Sequence, residues 1–224
     1  MIDGIRLKFC GLTSLVDANF ADALGADYLG FILYPKSPRG LSVRDFENLK
    51  PNLPRGRKLV AVMVEPSDVE LIAAKESGFD RFQIHFSTEF PIERIEGISK
   101  QVGRDRLWLV PKRHPESPMD ERWLKWAETI LVDTFSANEF GGSGKTGNWS
   151  EFARLQSDHP TTKWILAGGL NPKNIGDALT QSGARLVDVN SGVEIAPGIK
   201  DHAKMKAVVL GIHKQRTSST NAHE

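Results

Sequence analysis

A thiol and a carboxylate stand where chemistry is possible. Cys10, the only cysteine in the 224-residue chain, closes the apolar run "IRLKFC" (5–10), two residues after Lys8. In an extended strand side chains alternate, so if Phe9 packs outward against helices, Lys8 and Cys10 share the opposite face. A neighbouring ammonium favours the thiolate and would make Cys10 a usable base or nucleophile. Composition alone favours an inert buried cysteine, since free Cys is among the most buried residue types. Asp133 ends the run "TILVD" (129–133). With Ile130 and Val132 facing helices, its carboxyl points inward at the end of the strand. There it is either a general acid or base, if its surroundings raise its pKa, or a turn aspartate bonded to nearby amides.

Other polar groups fall at equivalent places. "RFQIH" (81–85) puts Gln83 and His85 on one face, and "RLVDV" (185–189) puts Asp188 near its inward-facing end. Hydrogen-bonded structural roles are the ordinary fate of such groups. Two glycine-bearing turns, "AGGLNP" (167–172) and "NSGVEIAPG" (190–198), lead from apolar runs towards helices. Glycines are common in ordinary turns, but two such loops in succession suit phosphate held on backbone amides.

"FGGSGKTGNW" (140–149) looks like the phosphate loop of a nucleotide hydrolase. That loop requires Gly, four residues, then Gly-Lys-Ser/Thr, directly between strand and helix. Counting back from Gly144 gives Glu139, and Asn148 is a fitting helix cap before Trp149. Lys145 and Thr146 therefore belong to a loop, expected to cover the site.

The elements that must position these groups repeat. Eight apolar runs, at 5–10, 27–33, 58–64, 81–85, 107–110, 129–133, 163–167 and 185–189, predict strands. Helical patterning lies between them at 14–26, 67–78, 149–157 and 172–183. Strands begin roughly 22 to 34 residues apart, the length of a βα unit. The fold class expected is α/β, a single-domain (β/α)8 TIM barrel over residues 1–213, with a polar, frayed tail at 214–224. An open doubly wound sheet would place a glycine-rich turn after its first strand, where "FCGLTS" offers one glycine. Active sites of such barrels lie at the C-terminal ends of the strands, and loops seven and eight commonly hold phosphate. "PKRHPESPMD" (111–120) is expected to be irregular.

Composition excludes several functions. Lys and Arg (29) balance Asp and Glu (28), without the basic stripe of a nucleic-acid binder. A single cysteine excludes an intramolecular disulfide and multi-cysteine zinc sites, and the six histidines show no ligand spacing. No metal or organic cofactor, no nucleic acid, no membrane and no obligate protein partner are expected. The N-terminus lacks a signal-peptide core and no run of about 18 apolar residues occurs, so a cytoplasmic protein is expected.

In order, "KFCGLT" (8–13), "YPKSPRGLS" (34–42), "LVDT" (131–134), "GGSGKTGNW" (141–149), "LAGGLNP" (166–172) and "VDVNSGVE" (187–194) resemble phosphoribosylanthranilate isomerase of tryptophan biosynthesis. The resemblance runs from about residue 6 to 209. It implies a barrel enzyme converting N-(5-phosphoribosyl)anthranilate to 1-(2-carboxyphenylamino)-1-deoxyribulose 5-phosphate, an Amadori rearrangement without metal or organic cofactor. It further implies Asp133 as general acid, Cys10 as general base and Arg39 as the holder of the anthranilate carboxylate. Phosphate would lie on the amides around Gly168, Gly169, Ser191 and Gly192, and Asp188 would bond the substrate's middle, with Gln83 and His85 beside it. Phe86 stands where the family has Gly and is expected to alter the mouth beside the anthranilate ring. Asn190 replaces a usual Ser. The rivals are a non-catalytic phosphate-binding barrel and the related histidine-pathway aminoaldose isomerase, whose chemistry typically puts an aspartate where Cys10 stands.

Overall fold

The computed structural model describes residues 1–113, 117–133 and 148–220, with side chains as far as Gln215. The stretch containing "GGSGKTG", and with it the expectation of a covering loop, lies outside the described residues.

Eight strands form the closed barrel predicted from the apolar runs: β1 Arg6–Phe9, β2 Tyr28–Ile32, β3 Lys58–Val64, β4 Arg81–Ser87, β5 Leu107–Lys112, β6 Thr129–Val132, β7 Lys163–Leu166 and β8 Leu186–Val189. All neighbours run parallel, and β1 closes the ring on β8 with Lys8 opposite Asp188. Helices α1 Leu15–Ala23, α2 Val43–Leu49, α3 Asp68–Glu76, α4 Ile92–Val102, α5 Arg122–Trp126, α6 Trp149–Asp158, α7 Ile175–Ser182 and α8 His202–Thr220 return the chain around it. A short turn at Ser191–Val193 and an antiparallel hairpin, β9 Glu194–Ala196 with β10 Ile199–Lys200, separate β8 from α8. Helix α8 continues through 214–220, the stretch read from sequence as a polar tail.

Alternation along each strand divides the core in two. Leu7, Phe9, Phe82, Ile84, Phe86 and Ile130 pack under the helices. Cys10, Tyr28, Val60, Val62, Trp108, Val110, Leu131 and Ile165 fill the barrel interior. Full burial of each such large apolar side chain stabilises by roughly 1.5–3 kcal/mol. Phe86 belongs to the outer layer: it is fully buried, with its ring 5.4 Å from that of Trp123 in an edge contact. The expectation that Phe86 alters the mouth is therefore corrected, because the same parity that turns Gln83 and His85 inward turns Phe86 towards the helices.

Side-chain caps fix the starts of α1, α2, α3 and α6. Ser42 with Asp45 and Ser67 with Glu70 form reciprocal capping boxes at α2 and α3. Asn148 caps α6, its Oδ1 accepting from the Glu151 amide at 3.1 Å, so the helix starts at Trp149 as the sequence predicts. Glu151 in turn forms a buried pair with Arg113, which follows β5.

Candidate active site

The C-terminal ends of the strands surround one cavity, and the catalytic, substrate-binding and phosphate-binding candidates named from the sequence all line it. Cys10 and Asp188 come from β1 and β8, Gln83 and His85 from β4, and Asp133 from just beyond β6. Arg39 enters from the loop after β2. Gly168 and Gly169 follow β7, and Ser191 and Gly192 follow β8.

Lys8 lies one layer below Cys10, fully buried, and its Nζ donates to Asp188 Oδ2 at 2.7 Å. Strand closure makes this pair, since Lys8 and Asp188 are register partners. Burial pulls the Lys8 pKa down, but Asp188 and Cys10 more than offset it, and the ammonium is held above its ordinary value. Burial pushes the Cys10 thiol up, beyond what Lys8 takes back, and Asp188 pushes the same way. The expectation that Lys8 alone would favour thiolate is thus corrected: the cation is already matched by a carboxylate, and desolvation dominates.

Gln83 Nε2 donates to His85 Nε2 at 3.0 Å, which puts the imidazole proton on Nδ1. Burial, with Lys8 nearby, lowers the His85 pKa to about 3, so the ring is neutral across the physiological range. Among the described residues, Gln83 Oε1 and Asp188 Oδ1 are buried without a protein partner. Both belong to residues lining the cavity, where an unpaired buried acceptor costs free energy unless a ligand or water meets it.

On the far side, two tight turns are pressed together. A Cβ on Gly192 would fall 2.0 Å from the Leu170 carbonyl oxygen, so only glycine lets the loops after β7 and β8 meet. Side-chain amides of Asn171 and Asn174 both donate to the Gly169 carbonyl, at 2.9 and 3.0 Å, and fix the first turn. Gly168, Gly169, Ser191 and Gly192 all line the cavity. The backbone amides of two such turns can hold an anion.

Arg39 carries an interaction that the sequence reading missed. Its Nε donates to Glu194 at 2.9 and 3.1 Å, and its Nη2 at 2.6 Å. Glu194 also accepts from Lys200 Nζ at 3.0 Å, and Lys200 reaches the Asn190 side chain at 2.9 Å. Hydrogen bonding to Glu194 raises the Arg39 pKa, while burial drives that of Lys200 down despite Glu194. A signal existed in "EIAPGIK": Pro-Gly marks a turn, and a hairpin across it sets Glu194 opposite Lys200, as observed.

Among the described residues no cluster of three or more His, Cys, Asp or Glu side chains could hold a metal, and no helix is long and apolar enough to cross a membrane.

The family model for N-(5′-phosphoribosyl)anthranilate isomerase matches residues 7–210. The enzyme of that name from Aquifex aeolicus is 38% identical over 206 residues, covering 92% of this chain and 97% of its own. Phosphoribosyl anthranilate isomerase from Thermotoga maritima superposes with a TM-score of 0.75 at 32% identity, covering 94% of this chain and 99% of its own. A solved phosphoribosyl anthranilate isomerase in complex with reduced 1-(o-carboxyphenylamino)-1-deoxyribulose 5-phosphate superposes with a TM-score of 0.72 at 30% identity, covering 94% and 99%. With the barrel and nearly the whole length of the sequence matched, the chain belongs to the N-(5′-phosphoribosyl)anthranilate isomerase family.

Proposed function

We infer that this protein isomerises N-(5′-phosphoribosyl)anthranilate to 1-(2-carboxyphenylamino)-1-deoxyribulose 5-phosphate, an aldose-to-ketose rearrangement. The observation that carries the reading is convergence: a thiol, a carboxylate, a guanidinium and two glycine-bearing turns line one cavity at the catalytic end of a barrel of this family. The solved relative bound to a reduced form of the product has the same fold over nearly its whole length.

Asp133 protonates the ribose ring oxygen, the C1′–O bond breaks, and nitrogen's lone pair forms a cationic Schiff base at C1′. As the cationic Schiff base forms, the Cys10 thiol gives up its proton to solvent in the cavity; the thiolate then takes the C2′ proton, and the C–H electrons neutralise the iminium to give an enolamine. The enolamine tautomerises to the ketone. A thiol pushed up by burial suits this order, because the new iminium adds its positive field to that of Lys8 when a base is needed. General acid and base groups of this kind contribute about 10²–10⁴-fold each.

Phosphate sits on the amides of Gly168, Gly169, Ser191 and Gly192. Arg39 pairs with the anthranilate carboxylate, for which a planar guanidinium is the fitting donor. Asp188 Oδ1 accepts a hydroxyl of the opened sugar, and the Gln83–His85 pair flanks it. The enzyme works in the cytoplasm on this small phosphorylated substrate, as a barrel of residues 1–213, with no protein partner needed for turnover. Purified protein is expected to consume the fluorescent substrate with chelator present. Binding of the reduced product without turnover of substrate would contradict the reading.

A further inference from the structure

The mouth contains an ion network of which the reaction scheme uses only Arg39. Glu194 has only 5% of its side chain exposed, yet it receives Arg39, Lys200 and, at 3.2 Å, the Gly198 amide. Arg39 meets it side-on: Nε and Nη2 both face Glu194. The side-on edge of a guanidinium is Nε–Nη2 and the end-on edge is Nη1–Nη2, so one carboxylate can occupy the first while a second occupies the other. Nη1 has no protein partner among the described residues. Two cationic side chains, Arg39 and Lys200, thus share one carboxylate.

The network also reaches the phosphate turn. Lys200 Nζ donates to Asn190 Oδ1, and Asn190 directly precedes Ser191 and Gly192. Gly11, next to Cys10, lies where the two arms meet. A Cβ there would fall 2.6 Å from Asn190 Oδ1 and 2.9 Å from Arg39 Cδ, at a backbone φ of +68° that favours glycine.

We propose that Glu194 is the positioning residue for the substrate carboxylate: it grips the side-on edge of Arg39 so that the end-on edge faces the aromatic acid. It also ties that arm, through Lys200 and Asn190, to the phosphate turn. This rests on Arg39 being the carboxylate's partner. A flexible arginine fixed before binding loses less freedom when the substrate arrives, so the contribution is to affinity and is selective for ligands that carry the carboxylate.

The test compares two ligands: reduced 1-(o-carboxyphenylamino)-1-deoxyribulose 5-phosphate and the same compound made from aniline, which lacks the carboxylate. Dissociation constants are measured for the wild type, Glu194→Gln, Arg39→Ala and the double variant. Glu194→Gln should weaken the carboxylate ligand by about tenfold or more, the scale of a charged hydrogen-bonding partner, and the aniline ligand by less than about threefold. In the Arg39→Ala background, Glu194→Gln should no longer change the ratio between ligands. Equal weakening of both ligands by Glu194→Gln, with Arg39→Ala still selective, would mean that Glu194 merely supports the hairpin and would overturn the proposal. A non-selective Arg39→Ala would instead remove the reading of Arg39, and the proposal with it. If Glu194→Gln does not fold, Glu194→Asp keeps the charge but withdraws it from Arg39. The same selective loss is expected there, and an unselective one overturns the proposal.

Discussion

Two buried lysines flank the cavity, and the same residue type is driven in opposite directions. Lys8 faces Asp188 with the Cys10 thiol beside it, one cation to one carboxylate, and its ammonium is held above its ordinary pKa. Lys200 shares Glu194 with Arg39, two cations to one carboxylate, and burial wins, driving its pKa down. A buried charge is stabilised by its share of a counter-ion rather than by proximity to one. The balanced pair sits beneath Cys10, the base of the proposed reaction. The triad sits at Arg39, the proposed partner of the substrate carboxylate, where two cations share one carboxylate.

The comparison assigns kcat to one side and affinity to the other. The largest expected effects are those of Cys10→Ser and Asp133→Asn, each lowering kcat by about 10²-fold or more while KM moves little. Steady-state kinetics of the two variants checks this. Lys8→Met follows: it strands the Asp188 carboxylate in the interior and should cost roughly 3–5 kcal/mol of stability, measured by urea unfolding. It should also push the Cys10 thiol further up, read as slower iodoacetamide labelling at a given pH. On the other side, Arg39→Ala should raise KM about 10- to 100-fold with kcat less affected, the loss of a charged bidentate contact.

The smallest effect is that of His85 on pH stability. Its folded pKa lies at about 3, below the ordinary 6.5, so between these values the unfolded chain binds a proton that the folded one does not. Stability contributed by the neutral ring is therefore present above pH 6.5 and lost as pH falls. The slope is at most about 1.4 kcal/mol per pH unit, and less here because the ring is only partly buried. His85→Gln should flatten unfolding free energies between pH 7 and 5, and an unchanged slope would remove His85 from this account.

Strand positions and inward-facing residues were legible because both follow from local pattern. "KFC" and "TILV" fix parity by alternation alone, and Cys10, Leu131 and Asp133 fall where that parity puts them. Phe86 was equally legible, since Gln83 and His85 facing inward force it outward. The family's usual glycine drew attention to the mouth instead. What pattern could not supply was long-range closure. Arg39 and Glu194 lie 155 residues apart and Lys8 and Asp188 lie 180 apart, and each meeting depends on how the ring closes. The direction of the Cys10 shift was hidden for a related reason: charge sign can be read from neighbours in sequence, whereas depth of burial depends on the whole barrel.

The central claim is that the Cys10 thiolate removes the C2′ proton. It is tested most directly by single-turnover kinetics of wild type and Cys10→Ser with substrate deuterated at C2′. The account predicts a rate at least about 10²-fold lower in Cys10→Ser, with proton removal rate-limiting and a primary isotope effect plainly expressed. A Cys10→Ser protein that turns over at the wild-type rate, with no isotope effect, would contradict it.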